Sequence, residues 1–206
     1  MAMVKQLQKP NASNAASGLD PIAEARKKAL TQLAELLFEH SDDNPSAQER
    51  RGFSAIMKGT GVLSLQQSEQ TKAVLHLGLA IDAQTKGNET QAAEELEGAL
   101  EAGFKHASLY FTLGLLRFKG NRLESAQRFL QNSVKHNDYA LGTRLLLGQL
   151  LVKKSLFNEA AQEYLEALKL ADAMTVPAEK ADEVSQQYEP LIEAHQSQQD
   201  ETILRK

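Results

Sequence analysis

His76, His106 and His136 stand 30 residues apart in a chain of 206 residues, and evenly spaced imidazoles are raw material for a metal site. The neighbouring carboxylates Glu94 and Glu95 could serve acid-base chemistry, and Gly59-Thr60-Gly61 has the glycines, but not the length, of a phosphate-cradling loop. None of these makes a complete site. No Lys-Ser/Thr follows the glycines at the right distance, and neither a Gly-x-Ser-x-Gly elbow nor a His-Glu-x-x-His pair occurs. Cysteine is absent, which removes thiolate nucleophiles, cysteine-ligated zinc and disulfides together and fits a reducing compartment. The expectation is a protein that is not an enzyme and holds no metal and no cofactor.

Whatever these side chains do, a repeat positions them. Ala92, Ala126 and Ala160 are 34 residues apart, as are Leu79-Ala80, Leu113-Gly114 and Leu147-Gly148. The same step relates Leu96, Leu130 and Tyr164; Ala99, Ser133 and Ala167; Leu100, Val134 and Leu168; and the turn residues Gly87, Asn121 and Ser155. A fixed period of this size marks stacked supersecondary units. Against that period, a histidine interval of 30 drifts by four residues per unit, so the three imidazoles are not expected on one face. Glu94 and Glu95 fall where a solvated helix face is expected.

Apolar residues inside each unit recur at helical spacing, as in Leu109, Leu113 and Leu116, then Leu123, Ala126, Leu130 and Val134. Each unit is therefore expected to be a helix pair, broken at Lys86-Gly87-Asn88, Lys119-Gly120-Asn121 and Lys153-Lys154-Ser155, where a left-handed residue can end a helix. Helices joined by so short a turn pack antiparallel, with axes about 8–10 Å apart, the close limit requiring small side chains. Ala80, Gly114 and Gly148 on the first helices, and Ala92, Ala126 and Ala160 on the second, supply them.

These residues resemble the tetratricopeptide repeat: Leu-Gly in the first helix, alanine twelve residues after the glycine, a large apolar residue four further on and a small one three beyond. Leu113, Gly114, Ala126, Leu130 and Ser133 carry the pattern in one unit, and Leu147, Gly148, Ala160, Tyr164 and Ala167 in the next. The first unit is looser, with Ala80 in place of the glycine. Two family features are missing. The first-helix aromatic is Tyr110 in the middle unit but His76 and Arg144 in the others, and the closing proline is replaced by Phe104, Asp138 and Asp172. The resemblance covers about half the chain and implies an all-α, right-handed helical-hairpin solenoid of about three repeats with flanking helices. It further implies a protein-protein interaction module.

Residues 1–19 lack periodicity and read as a disordered lead. Residues 20–61 read as an N-terminal helical extension. Asp20-Pro21 is a cap-and-proline start, Ile22, Ala25, Ala29, Leu33, Leu36 and Leu37 form a stripe running to about His40, and a second helix follows with Phe53, Ile56 and Met57 on one side. Residues 62–172 hold the repeats, at about 73–106, 107–140 and 141–174. Residues 173–206 read as a capping helix over 178–188, which Pro190 should kink or end, followed by an acidic, glutamine-rich tail. No apolar run is long enough for a membrane span, and no signal sequence is evident, so the cytoplasm is the expected location. The net charge of −4 argues against a nucleic-acid partner.

In such an array the first helices line the concave side. The repeat register places Val74, Leu77 and Ile81, then Phe111, Leu115 and Phe118, then Leu145, Gln149 and Val152 on that face. Eight of the nine are apolar, too large a patch to stand open to water. Either the helix from Ile22 to Leu37 folds into the groove, or an amphipathic helix or peptide of another protein docks there. The grip on acidic C-termini known in the family does not carry over, because the corresponding positions here are Leu77, Ile81, Ser108, Thr112 and Leu146. A second expectation is a regulatory or targeting segment of a larger multidomain signalling protein or enzyme. The sequence leaves the oligomeric state open.

Overall fold

The computed structural model describes residues 20–42 and 69–204. Among them are eight helices and no strand: α1 Pro21–Asp42, α2 Glu69–Thr85, α3 Glu89–Glu101, α4 Ala107–Lys119, α5 Leu123–Ser133, α6 Asn137–Lys153, α7 Phe157–Thr175 and α8 Ala178–Leu204. The chain is all-α. The expected lead and the expected helix with Phe53, Ile56 and Met57 lie outside the described residues, as does Gly59-Thr60-Gly61. Among the described residues no helix is long and apolar enough to cross a membrane.

Left-handed residues end α2, α4 and α6 where the 34-residue step puts them: Gly87 at φ 75°, Asn121 at 56° and Ser155 at 59°. Each of these turns closes in the same way. The amides of Asn88, Arg122 and Leu156 reach back to the carbonyls of Ala83, Arg117 and Leu151 at 2.8, 2.8 and 2.9 Å, satisfying acceptors that a helix end leaves over. Three-residue links then make α2 and α3, α4 and α5, and α6 and α7 double back and pack as pairs.

Small residues set the closeness of these pairs. A Cβ placed on Gly114 would stand 2.5 Å from Leu130 Cδ2 and 3.3 Å from the Leu130 backbone nitrogen. One on Gly148 would stand 2.5 Å from the Tyr164 ring. Ala80, Ala92 and Ala126 are fully buried, and Ala160 nearly so. Successive pairs meet through α3 against α4 and α5 against α6.

His76 and Arg144, which stand where the central pair has Tyr110, are each engaged with a carboxylate. His76 Nδ1 lies 2.8 Å from Glu95 Oε2, and Arg144 Nη1 lies 2.9 Å from Glu163 Oε2; the two pairs are related by two 34-residue steps. At the equivalent middle position, Tyr110 and Phe129 both pack on the apolar cluster. The equivalent positions are thus polar in the outer pairs and aromatic in the central one. Glu95 is half-buried, against the expectation of a solvated face, while Glu94 is exposed. Burial pushes the Glu163 carboxyl up, opposed by the Arg144 guanidinium.

α8 packs along α7. Ile192 is buried, Lys169 pairs with Glu189, Tyr188 donates to Asp172, and His195 Nε2 sits 2.9 Å from the Asn158 carbonyl. Of the expected kink or end at Pro190, the end does not occur, because α8 continues through it to Leu204. Proline removes the donor that would serve the Gln186 carbonyl, but Gln186 and Pro190 are both exposed, so water can take that bond.

Candidate helix-binding face

α1 starts as its cap residues dictate. The Asp20 carboxylate accepts the Ile22 amide at 3.0 Å, and Pro21 takes the first position, where no donor is needed. The stripe that follows is laid across the first helices of all three pairs: α1 contacts α2, α4 and α6. Ala25, Ala29 and Leu33 are buried there, and Ile22 and Leu37 are partly buried. Burying one leucine contributes roughly 1.5–3 kcal/mol, so Leu33 is the principal apolar anchor of the three.

Beneath the helix are two apolar clusters. Ala25 and Ala29 join Phe111, Leu115, Tyr139 and Leu146, while Leu33 joins Leu77, Ala80, Leu109 and Leu113. The Phe111 and Tyr139 rings stack, with centroids 5.4 Å apart and planes 23° apart. At Gly142 the approach is closest. A Cβ built there would stand 2.8 Å from Ala25 Cβ and 3.0 Å from the Pro21 carbonyl oxygen, so no residue but glycine lets the first turn of α1 lie on α6 as it does. At the other end Gly78 faces Leu37 with ordinary clearance of 3.9 Å.

A polar seam flanks this contact. Lys28 Nζ meets Asp138 Oδ1 at 2.5 Å, and the Tyr139 hydroxyl donates to Gln32 Oε1 at 2.5 Å. The hydrogen bond from Lys28 holds the Asp138 carboxyl below its usual range. Burial, followed by the charge of Asp138, pushes the Tyr139 hydroxyl up to about 12, so it stays a donor at neutral pH.

The nine residues expected on the concave face divide accordingly. Leu77, Phe111 and Leu115 are core residues, 1%, 0% and 5% exposed. The stripe of α1 shares their clusters and covers them. Val74, Ile81 and Leu145 are partly exposed. Phe118 is partly buried and carries Lys153 Nζ 4.3 Å above its ring. Gln149 and Val152 are exposed. On α6 the residues that meet α1 are Asp138, Tyr139 and Gly142, ahead of Leu145, Gln149 and Val152. The register missed them. One sequence signal was available: an interior helical glycine costs about 1 kcal/mol relative to alanine, so a second one in α6 beside Gly148 marks a close approach.

The histidines do not assemble into a metal centre. His76 is engaged with Glu95, and no group of three or more His, Cys, Asp or Glu side chains suited to a metal occurs among the described residues. His106 and His136 nevertheless hold equivalent places. Both stand at the N-cap of their helix, α4 and α6, because α6 begins a turn early. His106 Nδ1 accepts the Ser108 amide at 3.3 Å, and burial, then the charge of His136, hold its pKa down. No protein-family model matches this chain, and neither characterised proteins nor solved structures provide a match.

Proposed function

We propose that this chain is a protein-protein interaction scaffold: a tetratricopeptide-like, right-handed array of about three helix pairs whose concave face takes up an amphipathic helix. In this reading the protein is a binding module rather than an enzyme, and it works in the cytoplasm. One observation carries it. The face built by α2, α4 and α6 has a helix seated across it, held by a stripe of Ala25, Ala29 and Leu33 with polar partners at its edge. Recognition of a helix in a groove uses this arrangement, with apolar anchors three and four residues apart.

The test separates the face from its resident helix. Ala29→Glu places a carboxylate in the stripe of α1 and should unseat that helix, leaving α2 to α8 unaltered in sequence. A fluorescent peptide copying residues 20–42 should then bind the full-length variant saturably, whereas a scrambled peptide should not. A folded variant that takes up no peptide would mean that the face is a core closed once during folding, and the scaffold reading would be lost.

A further inference from the structure

α1 grips its face lightly and is tied to it by a long stretch of chain. Two of its three buried side chains are alanines, and its ion pair with Asp138 joins two half-exposed groups, a class of interaction that contributes little. The receiving face, by contrast, brings Phe111, Leu115, Leu77 and Tyr139. Between Asp42 and Glu69 lie 26 residues. Because α1 belongs to the same chain as the face, it competes with any partner as an intramolecular ligand.

Resting on the helix-binding reading above, we propose that the face under α1 is a docking site for a partner helix built to the same pattern, and that α1 is its exchangeable resident. The contacts specify that pattern. The residue over Gly142 must be no larger than alanine, since its Cβ already crowds the position. A second small residue follows one turn on, and a leucine one turn after that, matching Ala25, Ala29 and Leu33. A lysine or arginine three residues after the first small residue answers Asp138, and an amide seven residues after it accepts from Tyr139. A partner prevails by fitting better than α1 or by being supplied at high local concentration.

The probe is the labelled peptide of residues 20–42, read by anisotropy on three full-length chains. The native chain should bind it weakly, and the Ala29→Glu chain at least about tenfold more tightly, since a resident helix lowers apparent affinity by the fraction of faces it leaves open. The third chain carries Ala25→Cys and Gly142→Cys. The protein has no cysteine of its own, so the only disulfide that can form within the chain fastens α1 to α6. Disulfides span about 3.8 Å between Cβ atoms, which here asks α1 to move outward by about 1 Å. Oxidised, this chain should refuse the peptide. A peptide with Ala25→Leu should bind the native and Ala29→Glu chains at least about tenfold more weakly than the unaltered one.

If the Ala29→Glu chain binds but the native chain is as inert as the oxidised one, the face is a helix receptor and exchange is refuted. If no folded chain binds, both readings fall. If the oxidised chain binds as well as the native one, the peptide has gone elsewhere and the docking site is refuted. Should Ala29→Glu fail to fold, hydrogen exchange on the native chain decides. Amides of α1 should exchange faster than those of α4 and α6, and equal protection would overturn the proposal.

Discussion

The Phe111 and Tyr139 rings stack across α4 and α6 with centroids 5.4 Å apart, under α1 and within one apolar cluster. Offset aromatic pairs of this kind contribute beyond their buried area. Removing one ring leaves a cavity, so Phe111→Ala should destabilise the chain by about 3–5 kcal/mol. Tyr139→Phe keeps the ring and loses only the hydrogen bond to Gln32, a change of about 0.5–1.5 kcal/mol. Urea denaturation of both variants checks the order. Equal losses would mean that the stack adds nothing.

At Gly142 the prediction concerns one helix rather than the whole fold. Gly142→Leu drives a side chain into Ala25 and the first turn of α1, whereas the glycines within the pairs, Gly114 and Gly148, face Leu130 and Tyr164 instead. Overpacking of this sort costs about 1–3 kcal/mol, and releasing α1 is the cheapest relief open to the chain. Limited proteolysis should cut α1 first while circular dichroism keeps most of its helical signal. An α1 as resistant as in the native chain would contradict the close approach.

The repeat is legible in the sequence because its causes are local. A glycine, asparagine or serine that turns left-handed every 34 residues and an alanine or glycine at each helix crossing are single-residue requirements. The stripe of α1 is legible for the same reason. What escapes is where that stripe lands on α6. Carrying Phe111, Leu115 and Phe118 forward by one period gives Leu145, Gln149 and Val152, but α6 begins at Asn137, only 30 residues after α4 begins. The extra turn brings in Asp138 and Tyr139, whose counterparts one period earlier, Phe104 and Lys105, lie in the link before α4. A helix start depends on how the preceding link is wound, and the link before α6 has no left-handed residue to mark it. Periodicity cannot supply that information.

Ala126 tests the packing inside the central pair. It is fully buried on α5, in the cluster that also holds Leu130. Gly114 already brings α4 against Leu130, so no space is left between the helices for a larger side chain. Ala126→Leu should cost about 1–3 kcal/mol by forcing side chains off their rotamers or the helices apart. An unchanged melting temperature would show that this contact is not close.

His106 makes the fold sensitive to mild acid. Its Nδ1 accepts the Ser108 amide at the start of α4 and lies 2.6 Å from the buried Ser108 hydroxyl, contacts that favour the neutral ring. Burial, followed by the charge of His136, holds its pKa below the ordinary 6.5. Above 6.5 folded and unfolded chains carry the ring equally neutral, so the full stability is present. Between 6.5 and the lowered value the unfolded chain binds more protons, so stability falls as the pH drops through this window and levels off below it. His106→Asn keeps an acceptor suited to a helix cap and removes the titration. Melting curves across pH 5.5–7.5 should therefore fall more steeply on acidification for the native chain than for this variant. Parallel curves would place the sensitivity elsewhere, and a steeper fall in the variant would reverse the sign assigned to His106.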